Sequence, residues 1–336
     1  MSKPPVEIPL GAMRFNSDSN MLEYFNGDTW FQVHTEESIT CAGRGVQLGD
    51  ETTNCPNVME YISMDTMGTA VDFGDMQDGV GACGAAASRT RGIKFGGVTT
   101  YPGTFTNTID YITIATAGNG QNFGDLATTR RAPFSFGDLT RAGVAGGASP
   151  SYTASQTGID YVTIASEGNT QDFGDISSAA SCNGSSQMGS RTRGLLVANR
   201  ANSPNNRTNT VEYITIQNSA NSIDFGDLTN TPANILNGSN ATRALIGGGS
   251  DPSNVNTIQY MQIQTLGNAI DFGDMSFTSS EASAFSSRLR VVWSRVSNTY
   301  LEATTIATKG HSVEWGNFNE SKNHNSALTN VHGGVI

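Results

Sequence analysis

The sequence predicts an all-β fold made from one four-stranded unit repeated along the chain, and three observations carry that expectation. A phrase recurs at a nearly fixed period: Glu60-Tyr61 leading to Phe73-Gly74-Asp75 returns as Tyr111/Phe123, Tyr161/Phe173, Tyr213/Phe225 and Tyr260/Phe272. The steps between the phenylalanines are 50, 50, 52 and 47 residues, and a degenerate copy, Trp315-Gly316-Asn317, follows 43 later. Composition agrees, since the 336 residues hold 38 Gly and are only 15% charged, a turn-rich makeup. Within each copy, runs of strand character alternate with turn signals. A period near 50 is that of propeller blades built from about four short strands each.

The copy after Asp75 shows the elements in order. Val80 to Ala87 is small and apolar, as a first strand at the crowded centre of a ring requires, and Ser88-Arg89-Thr90 supplies a turn. Arg91 to Phe95 reads as a second strand, stopped by Gly96-Gly97, whose backbone can take positive φ and leave the sheet. After a polar loop, Val98 to Asn107, comes Thr108 to Ile114, rich in β-branched residues and nearly alternating, a third strand. Gly118-Asn119 is a hairpin signal, and Gln121 to Leu126 completes the unit.

The two ends read as halves of one further blade. Ser326 to Thr329 and Val331 to Val335, with Gly333-Gly334, match first and second strands. Leu22-Glu23-Tyr24 and Thr29-Trp30-Phe31, joined by an Asn26-Gly27 hairpin, match third and fourth. The expectation is therefore a seven-bladed propeller over 21–336, its closing blade shared by 21–33 and 326–336, preceded by an arm over 1–20. The alternative is six blades with a separate N-terminal meander.

Arg before a strand, Gly-Gly ending it, Tyr 14 residues on and an aromatic 12 after that together resemble the kelch repeat over Ser38 to Ile336. Phe replaces the usual Trp in five copies, and the Asp after Phe-Gly is not part of the general kelch pattern. The stretch Pro9 to Asp18, with Leu22 to Gly27 and Trp30, resembles the short β-meander of bacteriophage tail-fibre and other virion proteins. The copies themselves, with Ile-Asp-Tyr-Ile-Thr-Ile, Asp-Phe-Gly-Asp-Leu and a closing His-Gly-Gly, resemble repeat proteins of phages that infect marine cyanobacteria. That resemblance implies a virion protein, part of a tail, fibre or surface appendage, serving host attachment or particle assembly. Its partners would be other virion proteins and a host-surface glycan or protein. The other classes in view are a kelch-like protein-interaction scaffold and, with less support, a glycan-processing enzyme.

Charge and composition narrow the partners. With 19 basic and 30 acidic residues the net charge is −11, which repels nucleic acid and anionic membranes. No run of 18 apolar residues is present and the N-terminus has no apolar h-region, so neither membrane insertion nor a signal peptide is expected. Cys41, Cys55, Cys83 and Cys182 never form CxxC and read as thiols, with a Cys41–Cys55 or Cys41–Cys83 bridge as the alternative in an oxidising medium. The four histidines lack ligand spacing, so no metal and no cofactor is expected.

Catalysis would require a convergent set of residues that breaks the repeat, and the sequence offers none, so no catalytic residue is assigned. The recurring Asp75, Asp125, Asp175, Asp227 and Asp274 are one per blade, whereas calcium needs six to eight oxygens within about 2.6 Å. They read as structural, tied with the recurring Arg44, Arg91, Arg141, Arg193, Arg243 and Arg290 in Arg–Asp or Arg–carbonyl contacts. What differs between copies is the polar loop after the second strand. Tyr101, Tyr152, Arg200 and Arg207 on those loops are the expected binding residues, since a rigid scaffold carrying variable polar loops is suited to recognition.

Overall fold

The computed structural model describes residues 8–16, 21–32, 43–51, 54–100, 103–148, 155–182, 186–197 and 207–335. Every regular element among them is a strand. The chain divides into two compact units, Met1–Cys41 and Ala42–Ile336.

The first unit is a three-stranded antiparallel meander of Met13–Asn16, Met21–Phe25 and Trp30–Gln32. Its hairpin turns at Asn26-Gly27, where Asn26 Oδ1 accepts from the backbone N–H groups of Asp28 and Thr29 at 3.0 and 2.8 Å. The boundary therefore differs from the expected one at 20/21, because Met13–Asn16 pairs with Met21–Phe25 and belongs to the same sheet.

The second unit contains six antiparallel sheets, numbered here in chain order. The second is typical: Gly84–Ala87, Arg91–Thr100, Thr104–Thr113 and Gln121–Asp125 pair in sequence, with the small, fully buried Gly84–Ala87 innermost. Here Gly96 and Gly97, at φ +53° and +112°, do not stop the second strand. They bend it, with a shift of register, and it runs on to pair with Thr104–Thr106, inside the expected loop. The third sheet runs from Phe134–Gly137 to Gln171–Asp175, and the fifth from Leu236–Ser239 to Ile270–Asp274. The fourth has three regular strands, Arg193–Val197, Thr210–Thr215 and Ile223–Asp227. The sixth, Ala284–Ser286 to Val313–Lys322, gains Gly68–Thr69 as a short parallel partner.

The first sheet decides how the chain ends meet. Ser326–Thr329 pairs antiparallel with Arg44–Leu48, followed by Val58–Ser63 and Val71–Asp75. The expected sharing of one sheet by 21–33 and 326–336 is thus not the pairing formed. The reason lies in a turn contact repeated in all six sheets. A polar side chain after the innermost strand accepts the backbone N–H of the recurring arginine: Ser88 for Arg91, Asp138 for Arg141, Ser190 for Arg193, Asn240 for Arg243 and Ser287 for Arg290. Asn330 Oδ1 does the same for Arg44 at 2.8 Å, across a covalent gap of most of the chain.

Contacts between innermost strands run from sheet to sheet and return to the start. Ser326 Oγ donates to Cys83 O, Ala85 N to Ser135 Oγ, Ser186 N to Asn237 Oδ1, Asn240 Nδ2 to Arg288 O and Thr329 Oγ1 to Ser286 O. Ser135 and Gln187 form a parallel bridge between the third and fourth sheets. At the entry to these strands Ala82, Ala132, Asn234, Glu281 and His324 all adopt positive φ, between 43° and 60°. There the N–H of Ala82 bonds His324 O, that of Ala132 bonds Ala82 O, and that of Cys182 bonds Ala132 O. Apolar side chains fill the spaces between sheets, among them Phe73, Phe136, Phe225, Phe285 and Trp293. Cys55, Cys83 and Cys182 are buried, while Cys41 lies outside the described residues.

Candidate functional site

The Phe-Gly-Asp phrase is a β-bulge. In each of the six sheets the strand carrying the phrase shifts register against its partner, so that the aromatic residue is skipped: Ile109 faces Gly124 and Asp110 faces Asn122, leaving Phe123 without a Cα partner. The same holds at Phe73, Phe173, Phe225, Phe272 and Trp315. A bulge frees backbone groups from the ladder and re-aims them. The phenylalanine carbonyls use that freedom to accept from the next sheet's hairpin, Phe73 O from Gly118 N at 2.7 Å, Phe123 O from Gly168 N, Phe225 O from Gly267 N and Phe272 O from Gly310 N. The middle residue has to be glycine. A Cβ at Gly74, Gly124, Gly174, Gly226, Gly273 or Gly316 would stand 1.9 to 2.7 Å from backbone atoms of the neighbouring hairpin.

The recurring aspartate contributes mainly its backbone. The N–H groups of Asp75, Asp125, Asp175 and Asp227 donate at 3.0 Å to the side-chain oxygens of Asn119, Asn169, Asn221 and Asn268 on the next hairpin, and Asp274 donates to His311 Nδ1 at 3.1 Å. Asp125 and Asp175 are exposed, and the Asp175 carboxylate accepts from Thr157 Oγ1 at 2.8 Å.

The recurring arginines tie sheets together through carbonyls rather than through these aspartates. Arg44 donates to Ile114 O, Arg91 to Ile164 O, Arg141 to Ile216 O, Arg193 to Ile263 O and Arg243 to Ile306 O, at 2.9 to 3.1 Å. Each guanidinium also lies over an aromatic ring of its own sheet, from Tyr61 under Arg44 to Tyr260 under Arg243, at 4.5 to 5.2 Å. Arg290 lies 4.5 Å over Trp315. Those rings meet the bulged phenylalanines edge to face, as Tyr111 meets Phe123 at 6.0 Å.

Sequence reasoning missed a second polar row, the residue before each recurring tyrosine and, in the sixth sheet, Glu302 before Ala303. Glu60, Asp110, Asp160, Glu212, Gln259 and Glu302 are all buried. Asp110 pairs with buried Lys94 at 2.9 Å and Asp160 with buried Arg130. Burial pushes the Asp160 carboxyl up and the Arg130 guanidinium down, each opposed by the other's charge. Glu212 takes Ser177 and Ser222, and Glu302 takes Ser276 and Ser312. The signal was available in the near-constant acid before the aromatic, but alternation alone does not say which face is covered on both sides.

Two places break the repeat. At the strand entries, Arg131 holds Glu51 with two nitrogens, His324 lies 3.7 Å from Glu51 and 2.9 Å from Glu281, and Asn234 donates to Glu281 at 2.9 Å. This chain joins the first, third, fifth and sixth repeats. Its charged groups pair with one another.

At the opposite end of the innermost strands, residues 330–335 turn into the middle instead of forming the expected second strand. His332 is buried, with Nε2 2.7 Å from Ala87 O, Nδ1 accepting from Gly334 N at 2.9 Å, and Gln187 Nε2 at 2.6 Å. A Cβ at Gly333 would lie 2.3 Å from Asn240 O, and one at Gly334 2.1 Å from Gly137 O. The double glycine is what lets the segment in. Burial lowers the His332 pKa to about 4.

Of the expected binding residues, Tyr101, Tyr152 and Arg200 lie outside the described residues. Arg207 is described, and its guanidinium is tied to the next repeat, with Nη1 on Ser250 O and 4.0 Å from Asp251. Among the described residues no group of three or more His, Cys, Asp or Glu side chains is placed to hold a metal ion. Compared with known protein families and with curated proteins, the chain matches none.

Proposed function

We propose that residues 42–336 form a six-bladed β-propeller of kelch-like type, its first blade completed by Ser326–Thr329. The circuit of contacts among the innermost segments of the six sheets supports this count over seven.

On this scaffold the chain acts as a non-enzymatic bacteriophage virion protein, a tail, fibre or surface-appendage component that contributes to host attachment or particle assembly. One observation carries the non-catalytic part: the repeated residues are consumed in joining sheet to sheet. That leaves the loops after the second strands as the surface on which one copy differs from another, and a ligand can be distinguished only where copies differ. The virion assignment rests on the resemblance of the repeats and of the N-terminal meander. Tyr101, Tyr152 and Arg200 lead the contact with a host-surface glycan or protein, while Arg207 holds its loop to the next repeat through Ser250 O.

Mass spectrometry of purified virions tests the assignment, with the chain expected in the particle at many copies; its absence would overturn the virion reading in favour of an interaction scaffold. For the loops, Tyr101→Ala with Tyr152→Ala is expected to weaken attachment at least tenfold while leaving the melting temperature within about 2 °C, a surface effect. Unchanged attachment would remove these residues from the binding role.

A further inference from the structure

The N-terminal meander carries one wholly uncharged face and one mixed face, on which Phe25 and Trp30 pack at 5.4 Å beside polar groups. Register places Met13, Tyr24 and Phe31 opposite one another, and Phe15 opposite Leu22, so alternation puts these five on one face. Their exposures are 62% for Met13, 65% for Phe15, 38% for Leu22, 41% for Tyr24 and 45% for Phe31. Tyr24 and Phe31 stack at 5.8 Å, which makes the face flat as well as apolar. Polar groups lie on the other side, where Arg14 covers the Trp30 ring at 4.2 Å and bonds Glu23 at 2.8 Å, and Asn16 bonds the other oxygen of Glu23 at 2.9 Å. None of the five residues on the exposed face is charged.

We propose that this face is a self-association surface on which a second copy of the chain docks its own meander. Three considerations select a second copy as the occupant. The first is area. Large side chains contribute 150–250 Å² each when covered, so the exposed fractions amount to roughly 500 Å² per copy. Two such faces bury about 1,000 Å², the lower bound for a specific protein interface.

The second is charge. Copies of a chain carrying a net −11 repel one another overall, and an uncharged face adds no local like-charge contact where two of them meet. A two-fold contact also places the same patch on itself, which an apolar patch tolerates and a patch of one sign does not. The third is stability. Strands of 4, 5 and 3 residues make a sheet near the lower limit for independent existence, and stacking two of them face to face gives each the missing half of a core. The inference does not depend on the virion assignment, because it concerns only how copies of this chain meet.

Sedimentation velocity of the full chain from 0.5 to 50 µM is the test, beside the double variant Phe15→Glu/Phe31→Glu. The wild type should rise to twice the monomer mass or a higher multiple within that range. The variant should stay monomeric with the main unfolding transition unmoved, and Val313→Glu, on an outer strand of the second unit, should associate as the wild type does. A wild type that remains monomeric overturns the proposal, and so does a variant that associates as strongly as the wild type. Should the variant misfold, hydrogen exchange of residues 13–31 in the wild type at both concentrations decides instead. Protection that grows at least tenfold with concentration is expected, and protection independent of concentration overturns the proposal.

Discussion

His332 needs to be neutral where it sits. Its Nε2 faces a carbonyl and its Nδ1 faces the N–H of Gly334, so a proton added at Nδ1 would point one donor at another. The unfolded imidazole takes a proton near pH 6.5, whereas the folded one resists until about 4. Stability from this residue is therefore complete above about pH 6.5 and is lost as pH falls towards 4, by on the order of 3 kcal/mol. Urea unfolding at pH 7.5 and 5 should show the midpoint falling with pH, and His332→Asn should flatten that fall. A second contrast belongs at the same scale. Asp125→Ala should change stability by less than about 0.5 kcal/mol, because the exposed carboxylate is removed while the backbone N–H that bonds Asn169 remains. Gly124→Ala should cost about 1–3 kcal/mol, because the new Cβ meets Gly168 O at 2.3 Å and the residue keeps φ +155°. Thermal unfolding of the two variants side by side checks both.

At the scale of the element, the sheet is held to its neighbour by three devices acting together: the bulge, the hairpin that docks on it, and the arginine that reaches across. Arg193→Ala removes the bond to Ile263 O and the contact with Tyr213, and should destabilise by about 1–2 kcal/mol. Arg193→Lys should recover only part of that, since an ammonium lacks the flat fork that stacks and donates at once. The buried acid row is more sensitive. Lys94→Met leaves Asp110 charged and enclosed, an expected loss of about 3–5 kcal/mol, while Lys94→Met with Asp110→Leu should return most of it. Chemical denaturation of the single and double variants measures the difference.

For the whole molecule, the decisive contact is the one between the two ends of the second unit. Ser326–Thr329 completes the first sheet, Asn330 caps Arg44, and residues 332–335 fill the middle against the second, third, fourth and fifth sheets. Because the last strand pairs into the first sheet, the second unit has no terminal repeat free to fray, unlike an open repeat array. Removing residues 326–336 should therefore abolish the single cooperative transition rather than trim it. Circular dichroism melting, with hydrogen exchange of the fifth sheet as a distant reporter, checks this: protection retained at Leu236–Ser239 would show that the sheets stand independently.

Strand content, period, hairpin positions and the small innermost strand Gly84–Ala87 were readable in the sequence, because each follows from local chemistry repeated at one spacing. Gly118-Asn119 and its counterparts were legible for that reason, as was the recurrence of the arginines. The tertiary structure alone decided three things. Ser326–Thr329 pairs with Arg44–Leu48, a choice made by residues nearly three hundred positions apart that no local pattern encodes. Phe-Gly-Asp works through its carbonyl, its missing Cβ and its N–H, so the residue that looked most chemical, the aspartate, matters least as a side chain. His332-Gly333-Gly334 looked like one more strand end and became the filling of the centre, because only close backbone approach from several sheets distinguishes a glycine that turns a chain from a glycine that lets one in.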